Sequence, residues 1–172
     1  MHRLVRSVVA DQLPAEQARA WKTAAALLIE AAIPADPHLP VAWPACLALL
    51  PHALAVLALT STGTWTIATA VGQSGSYATA RDLFRQIVTA REHAGDYGPE
   101  HPSTLDARHQ LASYTGEAGD VAGARDQLAG LAEICARVLG PEHPSTQRTL
   151  RQLASYSAET SQDVPHRDHD DR

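Results

Sequence analysis

Gly98-Pro99-Glu100-His101-Pro102-Ser103-Thr104 recurs, seven residues in register, as Gly140-Pro141-Glu142-His143-Pro144-Ser145-Thr146. Gln110-Leu111-Ala112-Ser113-Tyr114 returns as Gln152-Leu153-Ala154-Ser155-Tyr156 at the same spacing of 42 residues. A fixed period of this size signals a stacked array of supersecondary units, each burying its apolar face against its neighbours. In the better copy, residues 103–118 predict a first helix (A) and residues 121–139 a second (B). Gly119-Asp120 makes the turn between them, glycine supplying the backbone freedom that a helix end needs. Pro102 and Pro144 suit the first turn of each A helix, where a missing N–H costs nothing, with His101 or His143 just before it.

An earlier, degenerate copy spans residues 62–95. Its Gly75-Ser76-Tyr77-Ala78-Thr79-Ala80-Arg81-Asp82 aligns with Gly119-Asp120-Val121-Ala122-Gly123-Ala124-Arg125-Asp126, an offset of 44. A last A helix over residues 144–158 has no turn glycine after it and is expected to cap the array. From Glu159 the sequence turns polar and rich in His and Asp, and a disordered tail is expected over residues 159–172.

Upstream, the turn chemistry changes. All ten glycines lie between Gly63 and Gly140, whereas six of the eleven prolines fall in the first 60 residues. Residues 1–60 therefore read as a separate linking region of three helices. Leu4, Val5, Val8 and Val9 mark the first, ending near Leu13-Pro14. The second runs from Pro14 to about Ile33, with Trp21, Ala24, Ala25, Leu28 and Ala32 as its apolar face. The third covers residues 43–59 and contains Pro51, which removes one intrahelical hydrogen bond and predicts a kink. The expected domains are thus 1–60, repeats over 61–158 (62–97, 98–139 and the cap 140–158), and the tail.

Composition agrees with an all-α solenoid of antiparallel helix pairs. Apolar residues make up 45% but aromatics only 5%, so the core must be Ala, Leu and Val, which suit closely packed helices. A net charge of −5 disfavours nucleic acid and membrane surfaces as partners, since both call for a basic face. No signal peptide is recognised, and the apolar run over residues 43–59 is broken by Pro44, Pro51 and His52, so no membrane span is expected. Cys46 and Cys135 are isolated, with no metal or redox spacing. They read as reduced core residues of a cytoplasmic protein.

Leu111-Ala112, Gly119, Ala124 and Leu128, like Ile67-Ala68, Gly75, Tyr77, Ala80 and Phe84, have the relative spacing of the tetratricopeptide signature. The 42-residue period and the His-Pro-x-Thr opening resemble the longer, kinesin-light-chain type of that repeat. The wording of residues 115–126, and His2-Arg3-Leu4-Val5-Arg6-Ser7-Val8 with the Trp43-Pro44 helix, is similar to the C-terminal part of actinobacterial signal-transduction NTPases. The departure is decisive for nucleotide chemistry. Lys22 is the only lysine and no glycine precedes it, so no G-x-x-x-x-G-K-[ST] loop exists and no bound nucleotide is expected. On that resemblance the chain would be the sensor or scaffold portion alone.

Candidate chemistry is sparse. His101 and His143 sit on neighbouring units and read as turn residues before a metal pair. The tail residues His166, Asp168, His169 and Asp170 lack a rigid frame for an ion. Ser, His and Asp occur without a G-x-S-x-G elbow, and Ser74-Gly75-Ser76 is explained by the inter-helix turn. Catalysis, metal and cofactor are not expected. What the resemblance implies is a concave groove lined by A helices, where an extended protein or peptide docks. Its exposed positions would be Trp65, Thr69 and Gln73 in the first copy, Asp106, His109, Ser113 and Glu117 in the second, and Arg148, Arg151 and Ser155 in the last. For each, a merely solvated helix face is the competing reading. Trp65 is either an exposed anchor or buried against the third helix. Arg81-Asp82 and Arg125-Asp126 fall on B helices and read as solvated charges or as ion pairs within a repeat. A non-catalytic interaction scaffold follows, with a regulatory piece acting on a separate NTPase chain as the alternative.

Overall fold

The computed structural model describes residues 14–162. The helix expected before Leu13 and the polar end beyond residue 162 lie outside them. The described residues hold seven α-helices and no strand. These are α1 (Ala15–Ala32), α2 (Trp43–Val56), α3 (Thr62–Gln73), α4 (Tyr77–His93), α5 (Pro102–Glu117), α6 (Val121–Val138) and α7 (Pro144–Gln162). A 3-10 turn, Pro40–Ala42, leads into α2. None of these helices is long and apolar enough to cross a membrane. The chain forms two compact units that divide within α3, one to Ala70 and one from Val71.

In the first unit, α1 packs against α2. Its inner positions are Ala18, Ala25, Ala26, Ile29 and Ile33, all half-buried. Of the expected face only Ala25 is among them. Trp21 is 63% and Leu28 72% exposed, and Ala24 and Ala32 are exposed with them. The helix carries two apolar stripes, and hydrophobic period alone does not say which of them meets α2. Helix α2 continues through Pro51, with Cys46 and Ala53 buried. Ser61 then caps α3, its Oγ accepting from the Thr64 N–H at 3.2 Å, while the Thr64 hydroxyl donates to the Ala58 carbonyl at 2.8 Å.

The second unit is built on the repeat. Ala80, Leu83, Phe84, Ile87 and Val88 bury one side of α4 at the i, i+3, i+4, i+7, i+8 spacing of a core-facing helix. Helix α4 packs on α5, α5 on α6 and α6 on α7. Ala112, Ala124, Leu128 and Tyr156 form one apolar cluster across α5, α6 and α7, flanked by Val121 and Leu153. Leu105, Leu131 and Cys135 form the other, flanked by Ile134 and Leu139. The last helix runs past Ala158 to Gln162, beyond the point where the composition turns polar. Helix propensity carries it there, since Glu and Gln favour helix whatever their polarity.

The repeated histidines are helix caps. His101 Nδ1 accepts from the Ser103 N–H at 3.2 Å, and His143 Nδ1 accepts from Ser145 at the same distance. Each satisfies one of the donors that a helix start leaves open. Thr146 repeats the Thr64 bond, its hydroxyl donating to the Gly140 carbonyl at 2.9 Å. Gly75 and Gly119 both turn between an A and a B helix at positive φ, +88° and +101°. Asp120 then caps α6 by accepting from the Gly123 N–H at 2.8 Å. A Cβ on Gly123 would stand 2.3 Å from that carboxylate, so the cap and the glycine go together. Ser76, at the equivalent place before α4, makes no side-chain cap. We expect Asp120→Ala to cost about 1 kcal/mol and Ser76→Ala close to nothing, as read from urea denaturation midpoints.

Candidate functional site

The residues expected to line a groove divide between the two units. On α3, Trp65 is half-buried and Thr69 buried, both in the first unit, while Gln73 is exposed at the helix end in the second. The exposure expected of Thr69 and His109 does not hold: they are 7% and 6% accessible. Helical period places both on the A-helix outer face, but on α5 that face also receives α7, whose Thr149 lies against His109.

Within the second unit, α5 and α7 are stitched side by side. Arg148 Nη2 and Asp106 Oδ1 are 2.5 Å apart, and Ser145 Oγ reaches the same carboxylate oxygen at 3.5 Å. Gln152 Nε2 donates to Ser113 Oγ at 2.9 Å, and the Tyr156 hydroxyl donates to the Ser113 carbonyl at 3.3 Å. Thr149 Oγ1 lies 3.3 Å from His109 Nδ1 and donates to the Ser145 carbonyl at 2.9 Å. The equivalent positions Asp106 and Arg148 are therefore partners of one another. Sequence reasoning placed both on the face but missed Thr149 and Gln152, which complete the seam.

Burial, with Arg148 adding like charge, pushes His109 down to about 4, and Asp106 only partly opposes this. The imidazole is neutral at pH 7 and serves the packing of the face. Glu117, Arg151 and Ser155 stay exposed beside the seam, and Arg148 and Asp106 remain partly accessible within it. The Arg151 side chain makes no hydrogen bond or ion pair among the described residues.

A second concavity was not anticipated. A cleft of about 570 Å³ opens between α4 and α6, floored by Arg108 and Leu111 of α5 and walled by Val88, Leu131 and Ile134. Gly130 helps to open it, for a Cβ there would meet nothing within 4 Å. Its charges are paired: Arg108 with Glu92 at 2.7 Å, and Arg85 with Asp82 at 2.6 Å. Arg81–Asp82 and Arg125–Asp126 form the expected pairs within a repeat, at 3.1 and 3.0 Å. The glycine inside the B helix was the signal in the sequence.

The face thus consists of exposed polar and charged groups on rigid paired helices. Such an arrangement can recognise a side chain or a carboxylate. The comparisons agree with this architecture. The tetratricopeptide repeat model matches residues 104–145. Among curated proteins none matches the chain. A crystal structure of nearly identical TPR-like repeats, ascribed to a Podosopora anserina kinesin light chain, is similar over 91% of this chain and 74% of its own length, at 24% identity and a TM-score of 0.59. A glutamine-to-methionine variant of the same protein gives the same coverage and identity, with a TM-score of 0.60. That likeness is one of fold: the described residues are all-helical, like the TPR-like repeat structures, and residues 104–145 carry a tetratricopeptide-type repeat.

Proposed function

We propose that the chain is a non-catalytic protein-interaction module that holds a peptide or protein segment along the face shared by α5 and α7. The observation that carries this reading is the stitched pair itself, which sets Glu117, Arg148, Arg151 and Ser155 on rigid backbone beside one another. A face ordered before binding loses little entropy when a partner arrives. Repeat arrays of this kind generally bind proteins. Arg151 would take a partner carboxylate, since its planar fork suits two parallel hydrogen bonds. Trp65 and Thr69, in the first unit, are not required. No cofactor or nucleotide enters the reading.

Affinity capture of partners, followed by titration of the purified partner, tests it. Arg151→Glu should weaken binding at least tenfold, about 1.4 kcal/mol, while Arg85→Glu at the cleft between α4 and α6 leaves it unchanged. The reverse pattern would move the partner to the cleft and refute the assignment. Equal binding by both variants would also refute it.

A further inference from the structure

We propose that the seating of α7 on α5 and α6 is an acid-opened latch, with His109 as its trigger. Two histidines hold this helix. His109 lies beneath it at 6% accessibility, against Thr149 of α7. His143 caps its first turn through an unprotonated Nδ1, an acceptor that a protonated ring lacks.

The groups around His109 decide the direction. From α7 it faces the positive Arg148 and the Thr149 hydroxyl, which also interacts with the Cys135 thiol of α6. On its own helix the one carboxylate acting on it, Asp106, is already engaged by Arg148. A proton on His109 would thus put a buried cation beside the partly exposed Arg148, with Asp106 as the one carboxylate acting on it. Lifting α7 removes both penalties at once, by admitting water and by carrying Arg148 away. The motion uncovers Cys135, which is 1% accessible when α7 is seated.

His109 sits near 4 when buried, against 6.5 for the free side chain. The open form therefore binds a proton that the closed form does not, and closure weakens as pH falls below about 6.5, up to tenfold per unit. The loss is complete below about 4, where both forms are protonated, and the opening constant has then risen roughly a hundredfold or more. This device stands apart from the docking reading, because its readout needs no partner.

Thiol labelling tests it. In the full chain carrying Cys46→Ala, Cys135 is the remaining thiol, and its reaction with 4,4′-dithiodipyridine is followed from pH 7 to pH 4. Rates are normalised to those of free cysteine at each pH. The normalised rate should climb steeply between about pH 6 and 4 while most helical circular dichroism persists, and His109→Gln should flatten the climb. A flat profile in the parent protein overturns the latch, as does an equal climb in His109→Gln. Loss of all helical signal together with Cys135 protection overturns it too, since α7 would then not move alone. Should His109→Gln fail to fold, NMR titration of the His109 ring in the parent protein decides. A ring titrating as an ordinary histidine refutes the mechanism, and one titrating near 4, with α7 amides exchanging first, supports it.

Discussion

Replacing Gly72 by alanine lowers the melting temperature by roughly 2–8 °C, although alanine is the better helix former by about 1 kcal/mol. Gly72 lies in the last turns of α3, and a Cβ there would stand 2.2 Å from Cε1 of Tyr114 and 2.3 Å from its Cζ. These are ring atoms, so turning the hydroxyl end aside gives no relief. The ring itself is fixed, 9% accessible and stacked on Phe84 with centroids 5.5 Å apart. Overpacking of this kind costs about 1–3 kcal/mol, enough to reverse the gain in propensity. Thermal denaturation reads the result, and an unchanged or higher midpoint would contradict it. The double variant Gly72→Ala with Tyr114→Ala should lose less than the two single changes combined, by at least about 1 kcal/mol, because the clash vanishes with the ring.

The same device recurs one unit on. A Cβ at Gly116 would stand 2.4 Å from the Tyr156 hydroxyl. A tyrosine from each following A helix thus enters a glycine gap on the one before. At the outer positions the pattern stops, with Ala70 where a tyrosine would stand and Ala158 where a gap would be.

Much of the fold was legible because it rests on local chemistry. Turn glycines, first-turn prolines and cap histidines act within a few residues, so their spacing alone located α5, α6 and α7 within a residue or two at most boundaries. What failed depends on neighbours. His109 and Thr69 occupy positions that period assigns to solvent, yet both are buried, His109 against Thr149 of α7. The two stripes on α1 are equal by period, and only the placement of α2 distinguishes them. The tyrosine and glycine pairing escaped notice because its halves repeat at different offsets, Gly72 with Gly116 at 44 and Tyr114 with Tyr156 at 42. The site was partly legible for the same reason. Its residue types were visible, but the pairing of Asp106 with Arg148 uses up two of them, and pairing across 42 residues appears only when helices are laid side by side.

Arg91→Ala should cost about 3 kcal/mol, and Arg91→Lys should recover less than half of that. A charged residue near the end of α4 reads in sequence as a solvated helix terminus, but Arg91 is 6% accessible. Its Nη1 donates to the Ser103 carbonyl at 2.6 Å, tying the end of α4 to the first turn of α5. Its guanidinium carbon lies 5.7 Å from the centre of the Tyr97 ring, and Tyr97 in turn meets the His101 ring edge-on at 5.0 Å. His101 is the cap of α5, so one buried cation braces the connection, the cap residue and the helix start together. Burial lowers its proton affinity, while Tyr97 and Asp106 raise it, and an arginine remains charged in such a setting. Alanine removes the charge-assisted hydrogen bond and the ring contact and leaves a hole. Lysine restores a charge but not the flat fork that donates to Ser103 while facing Tyr97, which separates the geometry from the charge. Urea denaturation gives both costs, and hydrogen exchange over residues 94–101 should speed up in each variant. A lysine variant as stable as the parent would show that charge alone suffices and that the brace is not built on shape.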